Sequence, residues 1–225
     1  MQDLNTSSSS HVHHEPDSSV AQVHTRVKIC GITNVEDMKL ACAAGADAIG
    51  LVFYEPSQRH VTVQQAAIIA AELPPFVQLV GLFVNASKAY VDEVLATVAI
   101  HVIQFHGDET SNFCEQFDRP YIKAIAVKPQ QNLTLEMDSH PKALGFLLDT
   151  YKPGIPGGTG KTFDWGLFPT YHKPLILAGG LNASNVHQAI KQVNPYAVDI
   201  SGGVEAYAGK KSAEQLLAFI QCVKQ

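Results

Sequence analysis

The stretch Gly145-Phe-Leu-Leu-Asp149, continuing into Thr150-Tyr-Lys-Pro-Gly-Ile-Pro-Gly-Gly-Thr-Gly-Lys161-Thr162, contains the pattern from which the fold can be read. A short apolar run, bounded by a glycine and a Pro/Gly-rich segment, predicts a core strand that ends in a carboxylate, Asp149, and feeds a loop. In that loop Gly157, Gly158 and Gly160 lie close together, where missing Cβ atoms let backbone N–H groups converge on an anion such as phosphate. Gly160-Lys161-Thr162 is also how a P-loop ends, but that motif needs a glycine where this chain has Ile155, so the nucleotide-triphosphate reading fails on register. Taken alone, such a loop is more often a surface turn than a ligand site, and its meaning depends on the other loops.

Working outward, the same kind of short apolar run begins near Val27, Ala48, Val77, Val102, Ile122, Phe146, Leu175 and Ala197. Eight runs with room for a helix after each predict a parallel eight-stranded (β/α)8 TIM barrel over residues 25–225. Thr33 or Asn34 should cap the first helix and Gly45 should end it. The helix after the fifth strand is expected to be short or irregular, since residues 130–141 carry no strong 3.6-residue stripe. Leu216, Leu217, Ile220 and Val223 are spaced to form the inner face of a closing helix.

At 225 residues and 46% hydrophobic, the chain can bury one substantial core. A net charge of −5 without Lys/Arg runs argues against nucleic acid or an anionic membrane as partner and leaves a small anionic ligand. Cysteines at 30, 42, 114 and 222 are too widely spaced for a CxxC motif and imply a reducing, cytoplasmic setting. Cys42 and Cys114 read as small core hydrophobes. Residues 1–24, rich in Ser and His, read as a disordered extension without a signal-peptide or membrane-length apolar run. His11, His13 and His14 lack the Cys or carboxylate company of a metal site, and no metal is expected.

A barrel of this type builds its active site at the C-terminal ends of the strands. Those ends hold Cys30 after the first strand, Arg59 after the second, His106 after the fourth and Asp149 after the sixth, with Asp199 in the eighth. Gly179 and Gly180 lead into a helix start at Asn182-Ala-Ser-Asn185, and Ser201, Gly202 and Gly203 follow the eighth strand. Two glycine pairs at equivalent places in successive units point to a phosphate held on backbone N–H groups. Lys28 shares a strand face with Cys30 and offers it electrostatic support. His106 is open to a positioning role or a buried structural hydrogen bond, and Asp199 to a substrate contact.

The motifs Lys28-Ile-Cys-Gly-Ile-Thr33, Ile103-Gln-Phe-His-Gly107, Leu148-Asp149, Gly158-Thr-Gly160 with Phe163-Asp-Trp165, Ala178-Gly-Gly-Leu181 and Val198-Asp-Ile-Ser-Gly-Gly-Val-Glu205 resemble the phosphoribosylanthranilate isomerase family of tryptophan biosynthesis. The resemblance runs from about residue 26 to the C-terminus. It implies an Amadori rearrangement of N-(5-phosphoribosyl)anthranilate by general acid/base catalysis without a cofactor, in a monomer or homodimer. It also implies that Cys30 is the general base at ribose C2, that Asp149 is the general acid at the ring oxygen and that Arg59 pairs with the anthranilate carboxylate. Gly158, Gly160, Gly179, Gly180, Ser201, Gly202 and Gly203 match the phosphate site. Two positions depart from the family pattern: Gly202 stands where a second serine is usual, and Gln58 where a proline precedes the arginine. The competing readings are an imidazole-carboxamide ribotide isomerase or ribulose-phosphate epimerase, against which Cys30 speaks, and a non-catalytic phosphate-binding module, against which the filled acid and base positions speak.

Overall fold

The computed structural model describes residues 24–150, 162 and 164–225. Its strands are β1 (Arg26–Cys30), β2 (Ala48–Val52), β3 (Gln78–Phe83), β4 (Val102–Phe105), β5 (Tyr121–Val127), β6 (Phe146–Thr150), β7 (Leu175–Leu177) and β8 (Ala197–Ile200). They pair in parallel, each with the next, and β8 returns to β1 to close the barrel. Each begins within one residue of the position expected from the sequence. The reason is physical: a strand buried on both faces must be apolar almost throughout, and its ends are where polar and turn residues return.

Alternation along each strand sorts side chains between two environments. Val27, Ile29, Ile49, Leu51, Phe105, Phe146 and Leu148 belong to the large outer core under the helices. Ile122, Ala124, Leu147, Ile176, Ala178 and Ala197 form a separate cluster inside the barrel. Lys28 and Cys30 have the opposite parity to Val27 and Ile29. Register then sets Lys28 beside Asp199 on β8 and Cys30 beside Gly50 on β2.

The helices are α1 (Val35–Ala44), α2 (Val63–Ala71), α3 (Lys88–Thr97), α4 (Ser111–Cys114), α5 (Leu133–Asp138), α6 (Val186–Val193) and α7 (Ala213–Lys224). Asn34 caps α1 by accepting from the Asp37 N–H, and Gly45 ends it in the left-handed region at φ 103°. α5 has six residues, as short as expected, but α4 has only four. Among the described residues the β6–β7 connection contributes only a 3₁₀ turn at Trp165–Leu167. Among the described residues the strand–helix alternation is therefore less regular than expected. The inner face of α7 also differs from expectation: Leu217 is 49% exposed, and Phe219 joins Leu216, Ile220 and Val223 in the core. Leu217 sits about 100° around the helix from Leu216, which carries it out of the stripe.

After β8 the chain makes a 3₁₀ turn at Gly202–Val204 and a small hairpin, β9 (Glu205–Tyr207) with β10 (Lys210–Lys211), before reaching α7. The sequence reading did not anticipate this hairpin. Cys114 is fully buried and Cys42 half-buried against the core, as expected of small hydrophobes. The expected extension over residues 1–24 lies, apart from His24, outside the described residues.

Candidate active site

The C-terminal mouth of the barrel brings together five of the side chains singled out in the sequence. β1 delivers Cys30, buried against Val52 and Leu82. Gly50 opposite it must lack a side chain, because a Cβ there would stand 2.8 Å from the Cys30 Sγ and 3.1 Å from the Lys28 Nζ. Burial pushes the Cys30 thiol above its ordinary range and Asp199 adds to this, while the Lys28 and Lys211 ammoniums pull the other way.

Lys28 donates to the Asp199 Oδ1 at 2.6 Å, across the β1–β8 register. Burial works against its charge, but Asp199 and Cys30 more than compensate and hold Lys28 charged well beyond the ordinary lysine range. The sequence expectation that Lys28 supports Cys30 thus has a geometric basis. Asp199 is held by Lys28 and also lines a cleft of about 360 Å³ bounded by the ends of β6, β7 and β8.

Asp149 is 7% exposed and forms one wall of that cleft. Its Oδ1 accepts from the Thr150 N–H at 2.7 Å, and its Oδ2 lies 3.3 Å from the His106 Nε2. The His106 Nδ1 lies 2.8 Å from the Gln104 side-chain nitrogen. The Gln104 contact at Nδ1 fixes the ring so that Nε2 faces Asp149. His106 thus lies between Gln104 and the Asp149 carboxylate.

The cleft floor is the two glycine turns. Gly179 and Gly180 both adopt left-handed backbone, at φ 83° and 65°. A Cβ on Gly179 would fall 2.7 Å from the Asp149 Oδ1, and one on Gly203 2.1 Å from the Leu181 carbonyl, so both backbones approach their neighbours as only glycine can. At the start of α6, the Asn185 side chain accepts from the Asn182 N–H and donates to the Gly180 carbonyl, and makes no cap to its own helix. The Val186 N–H, the first of α6, is taken by the Asn182 carbonyl at 3.1 Å, so the donors this segment offers the cleft are those of the glycine turn. Ser201, Gly202 and Gly203 line the same cleft. Gly158 and Gly160, the third part of the expected cradle, lie outside the described residues.

Arg59 lies in the loop before α2, and its stem crosses the end of β1 over Gly31, where φ is 72° and a Cβ would be 2.5 Å from the Arg59 Cδ. Its Nε and Nη2 donate to the two Glu205 carboxylate oxygens at 2.8 and 2.7 Å. The carboxylate beside Arg59 here is therefore Glu205, at the start of the hairpin, and a substrate carboxylate would have to use the other edge of the guanidinium. Glu205 also accepts from the Lys211 Nζ at 2.8 Å. Burial pushes the Glu205 carboxyl up, but Arg59 and Lys211 together bring it below the usual carboxylate range.

Lys211 was missed in the sequence. It is 2% exposed, and its Nζ also reaches the Cys30 carbonyl at 2.7 Å, the Ser201 carbonyl at 3.1 Å and the Ser201 Oγ at 3.5 Å. Burial lowers its pKa, and Glu205 offsets only part of that. The one available signal was Gly209-Lys-Lys211 shortly after the quoted Glu205, but a two-residue strand has no periodicity from which burial could be read.

Among the described residues no group of three or more His, Cys, Asp or Glu side chains could hold a metal ion. No described helix is long and apolar enough to cross a membrane.

The family described as N-(5'-phosphoribosyl)anthranilate (PRA) isomerase matches residues 27–222. An N-(5'-phosphoribosyl)anthranilate isomerase of Pseudomonas putida KT2440 is 57% identical over 203 residues, 90% of this chain and 98% of the relative. The crystal structure of phosphoribosyl anthranilate isomerase from Thermotoga maritima has a TM-score of 0.82 at 42% identity, covering 89% of this chain and 98% of that one. A phosphoribosyl anthranilate isomerase in complex with reduced 1-(o-carboxyphenylamino)-1-deoxyribulose 5-phosphate has a TM-score of 0.79 at 39% identity, with the same coverage.

Proposed function

We propose, from the premise that this chain belongs to the N-(5'-phosphoribosyl)anthranilate isomerase family, a division of the reaction between Cys30 and Asp149 across a phosphate cradle. The chain is an isomerase of tryptophan biosynthesis acting on N-(5'-phosphoribosyl)anthranilate. What is proposed is how residues 25–225, as one catalytic domain, carry it out.

The rearrangement moves hydrogen from C2 of the sugar to C1 and leaves the molecular formula unchanged, so it needs proton donors and acceptors and no external oxidant. Asp149 gives a proton to the ring oxygen as the furanose opens, and the nitrogen lone pair forms the C1–N double bond. Cys30, as thiolate, removes the C2 proton; the electron pair passes through C1 to nitrogen, giving an enolamine that tautomerises to the ketone. His106, beside Asp149, orients its carboxyl group. Lys28 steadies the thiolate against the burial that disfavours it. The phosphate sits on the N–H groups of Gly179, Gly180, Ser201, Gly202 and Gly203, and the resemblance adds Gly158 and Gly160 to the residues that bind it. Gly202 contributes its backbone N–H, so the missing serine hydroxyl removes only one donor. Asp199 contacts the substrate from the cleft wall, and the anthranilate carboxylate pairs with Arg59.

One observation supports this most strongly: in the closed barrel, β7 and β8 are the strands between the acid strand β6 and the base strand β1. Their glycine turns line a single cleft with Asp149. A phosphate anchored there lays the sugar between the two proton-transferring groups. All four cysteines are free, a state that a reducing cytoplasm would preserve.

The test is anthranilate fluorescence with freshly made substrate, corrected for spontaneous breakdown. Cys30→Ala and Asp149→Asn should each lower kcat by about 10²–10⁴-fold with KM little changed, since phosphate and carboxylate contacts remain. Near-normal turnover in Cys30→Ala alone would move the base to Asp199, which already lines the cleft.

A further inference from the structure

The mouth is populated by charged groups whose balance is uneven. Lys28 and Asp199 form a one-to-one pair, while Arg59, Glu205 and Lys211 form a cluster of two cations and one carboxylate. Without Lys211, the bidentate Arg59–Glu205 pair would be neutral as a unit. A guanidinium already engaged by a carboxylate on its Nε/Nη2 edge has little net attraction for a second carboxylate. Yet the substrate carries a carboxylate in addition to its phosphate.

We propose that Lys211 is a positioning residue that sets substrate specificity: held beneath Arg59 through Glu205, it supplies the net positive charge that lets Arg59 accept the anthranilate carboxylate. This rests on the assignment of Arg59 to that carboxylate made above. Lys211 does not touch the ligand. Its ammonium is surrounded by oxygen acceptors only, from Cys30, Ser201 and Glu205, a setting that suits a charged donor. Burial biases Lys211 toward neutrality, and Glu205 opposes that. The same ammonium joins the end of β1 to the turn after β8, so the carboxylate subsite, the base loop and the phosphate loop share one buried charge. The hairpin after β8 can then be understood as the element that delivers it.

Charge and shape are separable here because two substitutions change the charge in opposite directions. Lys211→Met removes the surplus positive charge, Glu205→Gln increases it, and the double variant restores it. Titration calorimetry would use two probes: reduced 1-(o-carboxyphenylamino)-1-deoxyribulose 5-phosphate and its aniline counterpart without the carboxylate. In Lys211→Met the carboxylated probe should bind about tenfold more weakly while the aniline probe stays within about twofold. In Glu205→Gln the preference for the carboxylated probe should rise, and in Lys211→Met/Glu205→Gln it should return to within about threefold of the unmodified protein. Equal weakening of both probes in Lys211→Met, or failure of the double variant to restore the preference, would overturn the proposal. If Lys211→Met does not fold, the comparison between Glu205→Gln and the double variant decides it in the same way. Arg59→Ala separates the two levels. A lost preference in Arg59→Ala with an intact one in Lys211→Met sinks this proposal alone, whereas an intact preference in Arg59→Ala sinks the carboxylate assignment as well.

Discussion

Two buried lysine–carboxylate pairs lie at the same end of the barrel and behave differently. Lys123 on β5 contacts Glu109 at 3.2 Å, and also donates to the carbonyls of Gly107 at 2.5 Å, Ala124 at 3.3 Å and Phe105 at 3.4 Å. Glu109 in turn accepts from the Asn85 and Gly107 N–H groups at 2.7 and 2.9 Å. This network is saturated and ties the loops after β3 and β4 to β5. Lys28, in contrast, makes one short bond to Asp199 and keeps the rest of its donor capacity beside the Cys30 sulfur. A lysine whose donors are all taken by carbonyls is structural, whereas one with donors left beside a thiol can stabilise a charge that appears only during turnover.

Breaking the saturated pair should have the larger thermodynamic effect. Lys123→Met leaves Glu109 buried and unpaired, at a cost of about 3–5 kcal/mol. The melting temperature should fall steeply while turnover per folded molecule holds. If turnover falls and stability does not, the contrast drawn here is the wrong way round.

Breaking the unsaturated pair also leaves a buried carboxylate, Asp199, without its partner and should lower stability, but its distinguishing effect should be in chemistry. Lys28→Met should lower kcat by about 30–100-fold, since a preorganised charge at a reacting group is worth about 2–3 kcal/mol. In the unmodified enzyme kcat/KM should rise with pH along the limb set by the Cys30 thiol, because the base form appears only as that proton leaves. Burial already pushes that limb up, and loss of Lys28, which opposes burial, should move it to still higher pH. A limb that does not move in Lys28→Met would remove the lysine from the base assignment.

His106→Asn tests the other side of the mouth, where the contact to Asp149 is a long 3.3 Å. We expect a loss of about tenfold in kcat with unchanged KM, smaller than for Lys28, because it disturbs orientation and leaves the acid in place.

The smallest effect belongs to His140, whose pKa is lowered by burial first and by the Lys123 charge second. Its folded value lies below the unfolded one, so its neutral form favours folding, and stability drops as pH falls through the unfolded value near ~6.5. In Lys123→Met the His140 titration, followed by NMR, should move upward toward that value. A titration that stays put would show that burial alone sets it.

The sequence made the strands and their end residues legible because a doubly buried strand is marked by an apolar run that stops abruptly, and a stop at Cys30 or Asp149 leaves a reactive group at the rim. The same-face relation of Lys28 and Cys30 followed from strand alternation and has its counterpart in the structure. What could not be read was tertiary. Glu205 pairs with Arg59 across 146 positions, and Lys211 reaches the Cys30 carbonyl across 181. Neither separation leaves a local trace. Leu217 and Phe219 exchange places because residues at i+1 and i+3 are both apolar here, and only packing decides which faces inward.

The register that places Lys28 against Asp199 joins the first strand to the last, with 171 positions between the two residues. On the ribosome, at about 5–20 residues per second, the lysine waits on the order of ten to thirty seconds for its partner to be made. Throughout that interval Cys30 lacks the Lys28–Asp199 pair beside it. A polypeptide released before β8 emerges would lack Asp199 and Lys211, two of the charges that act on Cys30, whereas His106, the neighbour of Asp149, precedes β8 in the chain. The pairing of β1 with β8 that closes the ring of strands is thus also the one that completes the charges around Cys30.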